Sequence, residues 1–500
     1  MHGCRIGVAQ VDITPNWTGP TAGWGIGLGN AKAVPPSDPT ERLYVTAVAL
    51  SDAAGELVVL ATTDLHCAAR PVWLGAAKIA GIDPSRLILS GSHTHEGPGQ
   101  IYGGAIFAFG SASLRGLRRN RRHLVEATGR AVKQAVEAMA PGGAVVVRGP
   151  LDDVGNNRAV PAWKHYSDET IDEFMTQGPG RSLGDRTLKA ERYRDPRITL
   201  LVAATDDGRQ RGVLGWYGVH AGALGQKWPT YSADIYGWAR RGVMDARPGA
   251  VVGFGGGSAA DVSPLPLDDA GHLRPPGASL AEVQGSELAG RVGGRIGAAV
   301  ADLVAASTPA PFSVAVTHDD WRPTDTLPRP MYGMSQLGGG VDGPTSHWAE
   351  LEAGIESPRA NELAHRKIPL DKDQGPKIPW IHAVTKLPIP LGWLHRLTLP
   401  RTYPVHVARV GSHVFATVPG EPSTMVGWRI EKELLELMPT STASVIGYAG
   451  DFGAYWVTPE EYLEQRYEAG STLYGRHASS ELQKKLASLA RKLPVPAAEG

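Results

Sequence analysis

Cysteine is nearly absent from this chain, which has only Cys4 and Cys67 among its 500 residues. Two cysteines cannot build the disulfide framework of a small secreted domain, so we expect two free thiols, with a single disulfide as the alternative. An excess of one charge is also missing, because 50 Lys and Arg residues balance 50 Asp and Glu residues. Without a net positive charge the chain has no general attraction to nucleic acid, and we predict no nucleic-acid partner.

Long apolar runs are missing as well. No window of about 18 apolar residues occurs, so we expect no transmembrane helix. The first residues, MHGCRIGVAQVDITP, lack the charged start and the apolar stretch of a signal peptide. These absences favour a cytoplasmic protein, although a trimmed exported protein would have the same sequence features.

What the chain does have is many turns around short apolar segments. It contains 62 Gly and 39 Pro residues, and 42% of its residues are hydrophobic. Runs such as ELVVLATTDL, RLILSGSHTH and GVLGWYGVHAG have the composition of β-strands. Apolar residues spaced at three and four positions predict four helices, over Leu124–Ala140, Glu282–Ala306, Met425–Leu437 and Ser479–Leu493. We therefore predict an α/β fold with mixed β-sheets packed against helices.

One large catalytic domain over residues 1–500 is the simplest division of the chain, since no repeat or Ser/Gly-rich linker interrupts it. Two stretches, Pro161–Arg194 and Thr324–Leu399, show little periodicity and are rich in Gly, Pro, His and Trp. Irregular loops of that length are uncommon unless they are functional. We expect them to be ordered loops that wall a pocket.

Two histidines stand one residue apart at the end of a predicted strand, in the segment LILSGSHTHEGPGQ. If the strand that begins at Leu87 continues, His93 and His95 point to the same side of the sheet. That arrangement suits two imidazole ligands of one metal, or one ligand and one substrate contact. Taken alone, an incidental polar pair at a strand edge is the simpler explanation.

Other candidate ligands follow two further strands. His220 ends the run GVLGWYGVH, and Glu421 ends HVFATVPGE just before a predicted helix. Side chains at strand ends that lead into glycine-rich turns are where α/β folds build their sites. Two or three histidines with a carboxylate suit Zn²⁺. The alternatives are a core histidine at 220 and a helix cap at 421.

Two more segments are unusual. GGGSAADVSPLPLDD carries Asp261 and Ser263, candidate catalytic residues for which a helix cap or a turn is the alternative. The segment lacks the GxSxG pattern of the usual esterases.

The basic run LRGLRRNRRH includes Arg115–Arg122 and precedes a predicted helix. A solvated helix face is the simple explanation of this run, and peripheral contact with an anionic membrane is the alternative.

In combination, these segments resemble the neutral/alkaline (non-lysosomal) ceramidase family. The motifs that carry the resemblance are, in order, SHTHEGPG, YGVHAGAL, ADVSP, VPGEPSTMVGWR and GAYWVTPEEYLEQRYEAGSTLYG. Weaker motifs such as NNRAVPAW and MYGMSQLGGGVDGP fill the gaps, so that the resemblance runs from about residue 5 to 480. It implies a zinc-dependent amidohydrolase that cleaves ceramide (N-acylsphingosine) or a related N-acyl amine into a fatty acid and an amine.

The resemblance also implies a ligand set for one catalytic Zn²⁺. The implied protein ligands are His93, His220, Glu421 and Tyr455. The long loops would then wall a metal pocket, with a deep apolar part for the acyl chain of a small-molecule amide substrate.

The remaining roles come from the same resemblance. His95 would contact the scissile group and act as the proton carrier. Arg158 and Tyr467 would bind or polarise the amide. Asp261 and Ser263 match a segment that the family's activity requires, and the nucleophile is left open between a zinc-activated water and Ser263.

The chain departs from the family pattern at several positions. Glu96 replaces a small residue such as serine, Leu265 replaces asparagine, and Phe452 replaces a tyrosine; no counterpart of the family's C-terminal β-sandwich domain precedes Gly500. Glu96 near the pocket mouth would select a cationic or polar group, unless it is merely solvated. The departures keep two alternatives open: a relative that hydrolyses a non-lipid amide or ester, and a non-catalytic zinc- or lipid-binding protein.

Overall fold

A computed structural model describes residues 3–24, 30–99, 101–102, 114–183, 193–208, 211–268, 272–345, 348–365, 374–379, 400–439 and 441–494. Its strands are β1 (Arg5–Asp12), β2 (Tyr44–Ser51), β3 (Leu57–Thr63), β4 (Leu87–Gly91), β5 (Ala140–Pro150), β6 (Asn156–Asn157), β7 (Arg197–Thr205), β8 (Arg211–Tyr217), β9 (Ala250–Gly256), β10 (Val262–Ser263), β11 (Val314–Trp321), β12 (Tyr403–Val410), β13 (His413–Thr417), β14 (Glu421–Pro422), β15 (Thr442–Ile446) and β16 (Tyr455–Trp456).

The α-helices of the described residues lie between these strands. They are α1 (Arg70–Ala80), α2 (Leu114–Glu137), α3 (Asp168–Thr176), α4 (Ile235–Ala246), α5 (Leu280–Val283), α6 (Ser286–Ala305), α7 (Ser335–Gly338), α8 (Pro358–His365), α9 (Thr424–Leu437), α10 (Tyr467–Ser471) and α11 (Ala478–Ala490). The four predicted helices are present as α2, α6, α9 and α11, and α2 begins ten residues earlier than its apolar periodicity because its first turns are basic. No helix among the described residues is long and apolar enough to cross a membrane.

The strands form two large sheets and two small ones. The largest has the order β4–β3–β2–β1–β5–β7–β8–β9, and the second has the order β11–β12–β13–β15. The outer pairs β3–β4 and β8–β9 are parallel, as is β13–β15, whereas the other neighbours in these two sheets are antiparallel. The predicted α/β class with mixed sheets is therefore confirmed.

The period-two alternation of the strands explains how the layers pack. In β2, Val45 and Ala47 join the core formed with helices α1 and α2, while Val48 and Leu50 join a core shared with Phe415 of the second sheet. Helices α4 and α6 cover the β7–β9 half. The large sheet is thus buried on both faces, which is why its strands are almost wholly apolar.

The two edges of the large sheet lie close together. A Cβ atom at Gly255 of β9 would lie 2.6 Å from Ser90 Oγ of β4, so only glycine fits at this position. The loops that follow β4 and β8 are joined directly, because the backbone N–H of His95 donates to the carbonyl of Ala221 at 3.2 Å. This approach brings the predicted histidines of separate strands to one place.

Both cysteines are buried free thiols, as predicted. The two long irregular stretches are only partly described, because residues 184–192, 346–347, 366–373 and 380–399 lie outside the described ranges. Their described parts contain short helices, including α3, α7 and α8.

Candidate metal centre

The strand geometry expected for the two neighbouring histidines is wrong. Strand β4 ends at Gly91, so His93 and His95 lie in the turn beyond it. The backbone φ of His93 is 65°, in the left-handed region that residues with a Cβ seldom adopt. That turn nevertheless brings the two rings together, with their Nε2 atoms 3.2 Å apart. A strained backbone held at this position is itself a sign of a functional site.

His93, His220 and Glu421 converge in the interior. Glu421 Oε2 lies 3.2 Å from His93 Nε2 and 3.1 Å from His220 Nε2. All three side chains are at most 2% exposed. The helix-cap alternative for Glu421 is wrong, because the N-cap of α9 is Ser423, whose side chain accepts a bond from Val426 N–H.

The hydrogen atoms of these imidazoles point away from the carboxylate. His93 Nδ1 donates to the carbonyl of His66 at 2.9 Å, and His220 Nδ1 donates to the carbonyl of Ala259 at 2.6 Å. A carbonyl only accepts, so each Nδ1 carries the hydrogen, and in a neutral imidazole each Nε2 is then a lone pair. Burial lowers the pKa of His93, which favours that neutral form.

Glu421 adds a third acceptor rather than a donor. Burial opposes its charge, but His93 and His220, when protonated, hold the pKa of Glu421 well below its usual range. Neither Glu421 Oε2 nor His220 Nε2 has a hydrogen-bond donor among the described residues. With both imidazoles neutral, the lone pairs that meet at Glu421 lack a donor, and a cation between them would satisfy them.

The donor set fits Zn²⁺. Zinc takes nitrogen and oxygen ligands at about 2.0–2.1 Å in tetrahedral geometry, which places neighbouring ligand atoms about 3.3 Å apart. The separations of 3.2 and 3.1 Å around Glu421 agree with that spacing. Zinc-binding histidines also normally donate their other N–H to a carbonyl or carboxylate, as both do here.

Tyr455 is held beside Glu421 by a short pair of strands. Strands β14 and β16 are parallel, and Glu421 and Tyr455 are partners in their register. The Tyr455 ring is 5% exposed, and burial raises the pKa of its hydroxyl. The fourth ligand implied by the resemblance therefore lies next to the carboxylate.

His95 borders the same centre. Its ring packs perpendicular to that of His93, with 4.8 Å between the centroids. Burial lowers the pKa of His95 well below its usual range, and its Nδ1 has no partner among the described residues. A neutral imidazole with a free nitrogen is able to accept and return a proton.

One imidazole of the centre was missed in the sequence. His66 follows strand β3, and its ring centroid lies 4.3 Å from that of His93. Its Nδ1 makes a short hydrogen bond with the hydroxyl of Tyr102, and Phe452 packs against its ring at 4.7 Å. The strand-end argument that selected His220 applies equally to the residue after ELVVLATTDL, so the signal was present.

Two sets of side chains have ligand atoms within 4.8 Å of one another: His66, His93 and His95, and His93, His220 and Glu421. Both sets need the single free nitrogen of His93, so they cannot each hold an ion at once. The second set contains the carboxylate and lies beside Tyr455. It is therefore the better candidate.

Arg158 and Tyr467 lie on the far side of Tyr455. Arg158 Nη2 donates to the Tyr455 hydroxyl at 3.1 Å, and the Tyr467 ring packs at 5.2 Å from the Tyr455 ring. Burial opposes the charge of Arg158, but the adjacent Asp342 and other acidic groups raise its pKa well above the usual value. Both predicted residues are thus close to the centre.

Asp261 and Ser263 support the surrounding structure. Asp261 accepts bonds from the backbone N–H of Thr424 at 2.8 Å and from Asn157 Nδ2 at 2.8 Å. Burial, with the nearby charge of Glu461, raises the pKa of Asp261 to about 7. Ser263 Oγ accepts from Leu265 N–H at 3.2 Å. Among the described residues neither side chain contacts the histidine cluster.

Glu96 is neither solvated nor at an open mouth, because it is 1% exposed. Trp24 Nε1 donates to Glu96 Oε1 at 2.7 Å, and the Trp24 ring packs perpendicular to His95 at 4.4 Å. Burial, with the nearby charge of Asp234, raises the pKa of Glu96 well above its usual range. Glu96 therefore fixes Trp24 against His95.

Backbone strain is concentrated around this centre. Besides His93, the non-glycine residues with positive φ in the described ranges are Asp234, Tyr448, Ala454 and Gln465. Tyr448 stacks on His93 at 4.0 Å, Ala454 precedes Tyr455, and the charge of Asp234 contributes to the raised pKa of Glu96. Such strain collects where a site needs fixed geometry.

Fold and site together define a mixed α/β protein with a buried His–His–Glu centre suited to a metal ion. A sequence model described as "Neutral/alkaline non-lysosomal ceramidase, N-terminal" matches residues 5–268 and 311–484. The chain therefore belongs to the neutral/alkaline non-lysosomal ceramidase family.

Relatives and solved structures agree with this assignment. The chain is 25% identical to the neutral ceramidase of Mycobacterium tuberculosis over 432 residues, covering 81% of this chain and 63% of that protein. For the neutral ceramidase of Pseudomonas aeruginosa the identity is 24% over 490 residues, covering 91% and 68%. The chain thus spans less than two thirds of the first of these relatives.

The likeness in fold extends over nearly the whole chain. A structure titled "Ceramidase complexed with C2" aligns with a TM-score of 0.74 and 22% identity, covering 98% of this chain and 75% of that one. The crystal structure of neutral ceramidase from Pseudomonas aeruginosa aligns with a TM-score of 0.70 and 22% identity, covering 99% and 76%.

Proposed function

We propose that this chain is a zinc-dependent amidohydrolase that cleaves ceramide or a related N-acyl amine into a fatty acid and an amine. One observation carries the proposal. Glu421 Oε2 meets His93 Nε2 and His220 Nε2 at 3.2 and 3.1 Å in the interior, and neither Glu421 Oε2 nor His220 Nε2 has a hydrogen-bond donor among the described residues. Family membership supports the choice of a linear amide as substrate.

Amide hydrolysis needs a nucleophile, a positive pole for the developing oxyanion and a proton for the leaving amine. A bound Zn²⁺ would supply Lewis acidity and lower the pKa of water. His93, His220, Glu421 and Tyr455 are the proposed ligands. His95 would carry the proton to the amine through its free nitrogen, and Tyr467 would donate its hydroxyl to the oxyanion.

We propose a zinc-activated water rather than Ser263 as the nucleophile. An activated serine needs a base within hydrogen-bond reach, and Ser263 Oγ contacts Leu265 N–H instead. Asp261 joins β6 to the first turn of α9 through Asn157 and Thr424. We therefore assign these two residues to holding the loops around the centre.

The test is a hydrolysis screen over N-acyl amines that differ in chain length and headgroup, with metal-free and zinc-reloaded protein. Turnover of N-acylsphingosine that requires zinc and disappears in His220→Ala supports the proposal. Turnover of only small polar amides or esters would support a non-lipid relative instead. One bound zinc with no turnover of any acyl amide would identify a binding protein.

The matched control for this screen is His406→Gln. His406 is also a buried imidazole with a free Nε2, but it lies in β12 beside His318, away from the centre. Its replacement should leave zinc content and turnover unchanged. A loss in both variants would show that the screen reports folding rather than the metal centre.

Peripheral contact with an anionic membrane stays part of the proposal. Among the described side chains of α2, Arg118, Arg119 and Arg122 are exposed, and Arg119 stacks over the Trp17 ring at 3.9 Å. Replacing Arg118 and Arg119 with Gln should weaken binding to phosphatidylserine vesicles but not to phosphatidylcholine vesicles. Arg291→Gln, at an exposed position of α6, is the control; equal loss in the control would contradict the contact.

A cytoplasmic location and a single catalytic domain also remain predictions.

A further inference from the structure

Arg158 is already surrounded by hydrogen-bond acceptors of the protein itself. A guanidinium has five N–H groups and accepts no bonds. Arg158 Nε donates to Glu468 Oε1 at 2.9 Å, and Nη1 donates to both oxygens of Asp342 at 2.7 and 2.8 Å. Nη2 donates to the Ala260 carbonyl at 2.8 Å and to Tyr455 Oη at 3.1 Å. Every nitrogen of the guanidinium is therefore already bonded to an acceptor of the protein itself.

The carboxylates that hold Arg158 come from distant parts of the chain. Asp342 belongs to the loop after α7, and Glu468 belongs to α10. Arg158 is 3% exposed and each acid is 6% exposed, so water does not compete for these bonds. Gln284 Nε2 also donates to the backbone carbonyl of Asp342 at 3.0 Å, which fixes that loop. A substrate amide would have to displace a buried, charge-assisted hydrogen bond to reach the guanidinium.

Of the partners of Arg158, only Tyr455 belongs to the proposed ligand set. We propose that Arg158, locked by Asp342 and Glu468, is a positioning residue that acts on the metal centre through the Tyr455 hydroxyl and does not contact the substrate. The inference rests on the proposed function, because it takes Tyr455 as a ligand. It also adds Asp342 and Glu468 to the residues on which the centre depends.

The physical role follows from the direction of the bond. Arg158 donates to Tyr455 Oη, which leaves another lone pair of that oxygen for a cation. The contact fixes the position of the ring beside Glu421 and favours negative charge on the oxygen. Outer partners of metal ligands act in this way, and their loss typically weakens metal binding about 10–100-fold.

The test is a double-mutant cycle read by zinc affinity, measured by competition with a chromogenic chelator. Tyr455→Phe and Asp342→Asn should each weaken zinc binding at least about 10-fold. The double variant should bind no more weakly than Tyr455→Phe, because Asp342 acts only through Tyr455. Multiplied losses in the double variant would overturn the inference.

A second arm separates positioning from substrate binding. Arg158→Lys should weaken zinc binding about 10-fold, while KM measured at saturating zinc stays unchanged. A raised KM with unchanged zinc affinity would place Arg158 on the substrate and overturn the inference. If Arg158→Lys does not fold, the cycle with isosteric Asp342→Asn still decides the question.

Arg194→Lys is the matched control. Arg194 is also fully buried and donates to a tyrosine hydroxyl, that of Tyr217, at 3.1 Å. Both lysine variants should lower the melting temperature, but only Arg158→Lys should change zinc affinity. Unchanged zinc affinity in Tyr455→Phe alone would instead refute Tyr455 as a ligand, which is a failure of the proposed function and not of the Arg158 contacts.

Discussion

Two buried clusters meet at Tyr455, and they differ in their supply of hydrogen-bond donors. In the His93, His220 and Glu421 cluster, Glu421 Oε2 and His220 Nε2 have no donor among the described residues, and the separations around Glu421 Oε2 are 3.1 and 3.2 Å. In the neighbouring cluster, every nitrogen of Arg158 donates to an acceptor of the protein. A cluster that lacks donors needs a cation from outside, whereas a saturated cluster can only support its neighbours. The difference distinguishes the side chains that bind a metal ion from the side chains that hold those ligands in position.

The largest expected effect comes from removing a ligand of the donor-poor cluster. Glu421→Ala leaves two imidazoles without the carboxylate, and zinc affinity should fall by more than about 100-fold, beyond the usual cost of losing an outer partner. Metal analysis of the purified variant should then find less than a tenth of the zinc of the parent protein, about one ion per chain. Unchanged zinc in both Glu421→Ala and His93→Ala would contradict the assignment.

A second prediction concerns Glu96, which accepts from Trp24 Nε1 and is buried near the carboxyl group of Asp234. Glu96→Ser removes the acceptor of Trp24 N–H and leaves a cavity. The free energy of unfolding, measured in urea, should therefore fall by about 2–3 kcal/mol. Glu96→Gln keeps an acceptor for Trp24 and a donor for Asp234, and should lose less than about 1 kcal/mol. If Glu96 instead selected a cationic headgroup, Glu96→Gln would change KM for cationic amides. Such a change would contradict the structural role of Glu96.

How far the sequence predicts the molecule depends on the kind of feature. Strand ends and helical periodicity located His93, His220, Glu421 and α9, because burial imposes those patterns locally. The strand geometry expected at His93 was wrong. His93 has a left-handed backbone conformation in a turn, and such a residue produces no periodic pattern in the sequence. Asp342 was missed for a different reason.

Long-range partners have no local signal. Asp342 and Arg158 are 184 positions apart, and nothing in GGGVDGP distinguishes this acid from a solvated one. The burial of Glu96 was equally invisible, because its partners Trp24 and Asp234 come from other loops. The resemblance of the motifs was enough to predict the ligand set. The contacts that support these ligands could be identified only from the folded structure.

The third prediction concerns a pair of imidazoles that lies outside the candidate metal centre. His318 and His406 are paired across β11 and β12, with 4.6 Å between ring centroids. Burial, with the charge of His318, lowers the pKa of His406 well below 6.5. The unfolded chain then binds the proton more readily, so the stability is complete above about pH 6.5 and is lost as pH falls below it.

The measurement is urea unfolding of parent and His406→Gln proteins, both free of metal, between about pH 7 and 5. The parent should lose up to about 1.4 kcal/mol per pH unit more than the variant, which is one proton's worth. Identical slopes in the two proteins would show that His406 does not titrate in this range.

The smallest expected effect tests the choice between the two overlapping sets of ligands. His66 shares His93 with the carboxylate set, and His93 has one free nitrogen. His66→Gln should therefore leave the zinc content at about one ion per chain, as expected for one closed site. A fall in zinc content as large as that in Glu421→Ala would assign the ion to His66, His93 and His95 instead.

The central claim is the presence of Zn²⁺ among His93, His220 and Glu421, and zinc X-ray absorption of the purified protein tests it most directly. The spectrum should show nitrogen and oxygen ligands at about 2.0–2.1 Å, multiple scattering from two imidazoles, and no sulfur. A sulfur ligand at about 2.3 Å, or a chain that binds no zinc when the metal is supplied, would contradict the claim.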